Sequence, residues 1–112
     1  MALIPKAFEA GAEEAQRDIA EGRLRLKYGV AGEWGRDLKE TLLSRFRIEL
    51  VELTCFTTEE SDSFVAGYNE TVTAHIDSIY GPGSVVAVHQ EVQHRRKKRY
   101  DEWVAANKNN VA

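Results

Sequence analysis

Apolar residues recur every three or four positions in four stretches of this chain and alternate with charged residues in a fifth. One long periodic run spans Phe64 to Tyr80. Its residues Phe64, Val65, Tyr68, Val72, His75, Ile76 and Ile79 share one helical face, with Glu70, Thr73 and Asp77 opposite. Gly81-Pro82-Gly83 follows at once, a stop made of a residue that accepts left-handed geometry and one that cannot extend a helix. A capping box at Thr57 or Thr58, with Glu60 as its partner, is expected to open this helix. A first helix is predicted from Pro5 to about Glu21, where Phe8, Ala12, Ala15 and Ile19, with Gly11 alongside, make a narrow face of mostly small residues suited to close approach. Glu33 to Arg45 carries Trp34, Leu38, Leu42 and, just beyond it, Phe46 on one side, which predicts another helix.

Arg23 to Tyr28 alternates strictly, with Leu24, Leu26 and Tyr28 on one side and cations on the other, the pattern of a half-buried strand. Ile48 to Phe56 reads as a second strand. After the Gly-Pro-Gly stop, Ser84 is expected to cap a last helix to about Ala106, with Val85, Val88, Val92, Tyr100 and Trp103 on one side; residues 84–88 taken alone also fit a short buried strand. The predicted order is α-β-α-β-α-α, an α/β or α+β domain spanning residues 1–112, with residues 1–5 and 107–112 frayed. Strand, crossover helix and strand predict a right-handed βαβ unit, and the last two helices a hairpin. Two strands make a marginal sheet, so completion by a second copy or by a third strand at 84–88 is expected.

Charge divides the chain. Residues 89–112 hold six Lys or Arg against three Asp or Glu, whereas residues 1–88 hold nine against fifteen. Residues 57–81 have five acids and no Lys or Arg, and Arg95-Arg96-Lys97-Lys98-Arg99 is the most basic run. An antiparallel hairpin would carry residues 95–98 past Glu70 and residue 103 towards Asp62, so that the two helices neutralise each other. A nucleic-acid interface built on the same run is the alternative.

Candidate chemistry is sparse. Ligands of parallel sheets bind at the carboxyl ends of the strands. A pocket is therefore expected from Tyr28, Gly29, Gly32 and Trp34, joined by Tyr68 and Asn69 from the long helix. The glycines match neither a dinucleotide fingerprint nor a P-loop, and Glu33 stands where an anion would bind. Cys55, the single cysteine, is the candidate nucleophile at a strand end, with His75 as its possible base. The plainer alternatives are a buried thiol and a core histidine.

A lone cysteine and three scattered histidines give no zinc pattern, so neither metal nor cofactor is expected. No apolar run approaches the length of a membrane span, and a cytoplasmic protein is expected. The leading expectation for function is a homodimeric binding domain whose partners are a second copy and other proteins. A small thiol-dependent enzyme using Cys55 comes second, and a nucleic-acid binder third.

Overall fold

The computed structural model describes residues 3–29, 32–53 and 58–108, and of residues 32–34 the backbone alone. Among these residues the chain forms α1 (Pro5–Ala20), β1 (Arg25–Tyr28), α2 (Gly32–Phe46), β2 (Glu49–Glu52), α3 (Glu59–Tyr80) and α4 (Ser84–Asn107). The order is the predicted one, and residues 84–88 are helical.

Local chemistry explains the boundaries. Pro5 occupies the first turn of α1, and the Ile4 N–H that precedes it donates to Ser63 Oγ at 2.8 Å, anchoring the start of α1 to α3. Thr58 caps α3 through a capping box, but its partner is Ser61 rather than Glu60. Ser61 N–H donates to Thr58 Oγ1 at 3.1 Å, and Thr58 N–H to Ser61 Oγ at 2.8 Å. Gly81 ends α3 with φ of 112°, and Gly83, at 78°, takes the capping position of α4 expected for Ser84. The Ser84 hydroxyl instead donates back to the Gly81 carbonyl.

β1 and β2 pair in parallel, with Leu26 opposite Leu50. Both leucines are buried in a core shared with Leu38, Leu42 and Phe46 of α2, Tyr68, Val72 and Ile76 of α3, and Val85, Val88 and Val92 of α4. The far end of the α3 stripe does not join it, because Ile79 and Tyr80 are exposed.

The tightest packing is between α1 and α3. A Cβ added to Gly11 would lie 1.9 Å from the Phe64 carbonyl oxygen, and one added to Gly67 would lie 2.0 Å from that of Phe8. The two glycines therefore face each other's helices reciprocally, each with a Cα–H directed at a backbone carbonyl, a weak hydrogen bond open only where no side chain intervenes.

The sheet edge on the β1 side is closed by a side chain. Glu49 N–H donates to Leu24 O at 2.8 Å and Leu53 N–H to Tyr28 O at 3.0 Å, so the even-numbered residues of β1 face β2 and Lys27 faces outward. Asn69 of α3 meets both outward groups: Lys27 N–H donates to Asn69 Oδ1 at 2.8 Å, and Asn69 Nδ2 donates to Lys27 O at 2.7 Å. One amide side chain stands in for a third strand at that position. On β2 the same alternation turns the backbone groups of Leu50 and Glu52 away from β1.

Candidate interaction surface

The residues expected to line a pocket are divided between packed structure and open surface. Tyr28 packs edge-on against His89 of α4, ring centres 5.2 Å apart and planes at 83°, and its burial raises the phenol pKa. Gly29 is exposed, and a Cβ there would meet nothing within 4 Å. Tyr68 is fully buried and donates its hydroxyl to Asp18 at 2.5 Å; burial first, and then this bond, hold its pKa well above the ordinary phenol value. Asn69 spends its amide on the β1 backbone. Gly32 lies in the first turn of α2, and the Trp34 side chain lies outside the described residues.

Tyr68 and Asn69 thus converge on Lys27 of β1, a residue the alternating pattern had assigned to solvent. The Lys27 ammonium sits 4.2 Å from the centre of the Tyr68 ring, 5.3 Å from that of Phe64 and 3.8 Å from Glu14 of α1, with its side chain 20% exposed. Strand alternation reports only that one face is polar; here α1 and α3 cover that face.

Cys55 lies outside the described residues, so its pairing with His75 has no geometry here. His75 is half-buried on α3, and its backbone carbonyl accepts the Ser78 hydroxyl at 2.6 Å. It stands two turns, roughly 10 Å along the helix, from Tyr68. Among the described residues no group of three or more His, Cys, Asp or Glu is placed to hold a metal ion, and no helix is long and apolar enough to cross a membrane.

The open chemistry lies on α4. Its buried residues, Val85, Val88 and Val92, all fall in its first nine positions, and every residue from Gln93 to Ala106 is exposed. The core-facing stripe nevertheless continues beyond the last buried residue through Arg96, Tyr100 and Trp103, each within about 60° of Val85 around the helix. Tyr100 is 64% exposed, Trp103 61% and Val104 41%; the two rings stack with centres 6.3 Å apart. Shallow concavities flank Tyr100, one between Gln93, Arg96 and Lys97, the other between Arg96, Arg99 and Trp103.

The basic run is engaged mostly by α2 rather than by α3. Arg95 donates to Thr41 Oγ1 at 2.7 Å, and Arg99 pairs with Asp37. Lys97 pairs along its own helix with Asp101 at 3.0 Å. Below the run, Arg45 of α2 holds Glu91 in a two-pronged pair that lowers the glutamate pKa. The hairpin therefore opens from its Gly-Pro-Gly turn, and α4 leans on α2. Three of the five consecutive cations have partners within the chain, which weakens the case for a phosphate-binding ridge.

Comparison with protein-family models, with curated proteins and with solved structures finds no match for this chain.

Proposed function

We propose that this chain is a small homodimeric interaction domain of the cytoplasm, with the exposed aromatic and basic face of α4 as its working surface. The carrying observation is that face: two stacked aromatic rings more than 60% exposed, in line with the stripe that builds the core. Contiguous apolar surface rimmed by charge is what association surfaces present, and Tyr, Trp and Arg are enriched in them. A single cysteine in 112 residues accords with a reducing compartment.

Replacing Tyr100 and Trp103 together by serine tests this reading. Both side chains are open, so helicity and thermal midpoint are expected to stay within error of the parent. Sedimentation over about 1–200 µM is expected to move from dimer to monomer. A parent protein that sediments at 12.6 kDa across that range would overturn the reading.

A further inference from the structure

We propose that two copies pair antiparallel through the exposed part of α4, about a two-fold axis passing beside Tyr100. This rests on the dimeric reading above and adds the surface, the orientation and the register.

The orientation follows from charge. A parallel pair would set the run 95–99 of one copy against the same five cations of the other, at the same level on the helix. An antiparallel pair sets that run against residues 101–105, which contain Asp101, Glu102 and no cation.

The register follows from the stripe. A symmetric interface must complement itself, each position meeting its mirror position across the axis. With Tyr100 at the centre, Arg96 reaches the level of the partner's Trp103 on one side of the seam, a cation over the face of an exposed indole. Lys97 reaches the partner's Val104 on the other side, laying its aliphatic stem along an apolar residue. Gln93 meets the partner's Asn107, amide to amide, and Tyr100 meets its own copy. The concavities flanking Tyr100 are placed to receive the partner's rings.

The bodies do not obstruct this arrangement. Each body packs on its helix mainly at residues 85–92, and where α2 reaches further, at Arg95 and Arg99, it lies about 100–140° around the helix from Tyr100, off the seam. Fourteen exposed residues give a seam about 21 Å long. One helix face of that length and about 10 Å wide covers well under the roughly 800 Å² per partner of a standard interface, and the expected dissociation constant is in the micromolar range.

Cysteine placement reads orientation directly. In a Cys55→Ser background, Tyr100→Cys, Gln93→Cys, Asn107→Cys and, as a collision control on α1, Glu13→Cys are oxidised at about 50 µM and resolved without reductant, with helicity checked for each. Tyr100→Cys is expected to give covalent dimer at least tenfold faster than Glu13→Cys. Gln93→Cys and Asn107→Cys are each expected to stay at the control rate, because copies of one position lie about 20 Å apart in this register, beyond the reach of a disulfide. Mixing those two variants is expected to restore fast cross-linking.

Self-linking of Gln93→Cys as fast as Tyr100→Cys would establish parallel helices and overturn the proposal. Dimer mass with every variant at the control rate would also overturn it, while leaving dimerisation to another surface such as the β2 edge. Monomer mass throughout would overturn both readings.

Discussion

Gly67→Ala tests the α1–α3 crossing. On an ordinary helix surface this change stabilises by about 1 kcal/mol, since alanine is the better helix former. Here the new methyl lands 2.0 Å from the Phe8 carbonyl oxygen and 2.8 Å from its carbon, where ordinary contact begins at 3.4 Å. The obstacle is backbone, so no rotamer change relieves it, and the helices have to part by more than an ångström. Separation on that scale pulls the Tyr68 hydroxyl from Asp18 and slackens the Ile4 to Ser63 anchor. Overpacking of a well-filled core costs about 1–3 kcal/mol, and a clash with a carbonyl belongs at the upper end. After the helix-propensity gain, a net loss of about 2 kcal/mol is expected, read as a fall of about 8 °C in thermal midpoint at roughly 4 °C per kcal/mol. Gly29→Ala, where a Cβ has open space, is the control and should stay within about 0.5 kcal/mol of the parent. A Gly67→Ala protein as stable as the parent would refute the reciprocal glycine contact.

Asn69→Ala removes both bonds to the outward edge of β1 and is expected to cost about 2 kcal/mol in urea denaturation, with more light scattering during unfolding as the edge opens. Tyr68→Phe keeps the ring over Lys27 but strips Asp18 of its hydroxyl donor, for a loss of about 1 kcal/mol in the same assay. Burial lowers the His89 pKa below its ordinary value, so the unfolded chain takes up a proton at about pH 6.5 that the folded one resists. Stability is therefore expected to fall as pH drops from 7 to 5. His89→Phe, which keeps a ring against Tyr28, should flatten that slope, and an unchanged slope would show that the histidine does not govern it.

The order of elements was legible because each helix announces itself twice, by a 3.6-residue stripe and by a Pro, Ser, Thr or Gly at its end. That α1 would pack closely on another element was legible in Gly11 and the small residues of its stripe, but that the element is α3, meeting it at Gly67, was not. Which helix neutralises which was not legible. The acid-rich run in α3 and the base-rich run in α4 are neighbours in sequence, yet Arg95 and Arg99 turn to α2, because pairing depends on how far the hairpin opens and no local pattern encodes that angle. Lys27 was missed for a related reason: alternation along a strand marks its polar face but not what covers it. The pocket expected at the strand ends drew on Tyr68 and Asn69, whose polar groups prove to be committed to Asp18 and to the β1 backbone. The exposed aromatics of α4 were assigned to an apolar stripe on the assumption that a stripe has an owner within its own chain, which holds only for the first nine residues of that helix.

The Gly11–Gly67 crossing also bears on synthesis. These residues are 56 positions apart, and at about 5–20 residues per second the ribosome takes roughly 3–11 seconds to travel from one to the other. During that time α1 has been made but its closest partner has not. A helix of 16 residues is marginal on its own in water, so α1 is expected to remain largely unfolded until α3 emerges. Although translated before α3, α1 thus settles only after it, and a nascent chain halted before residue 67 should leave α1 open to protease while a chain that includes α3 protects it.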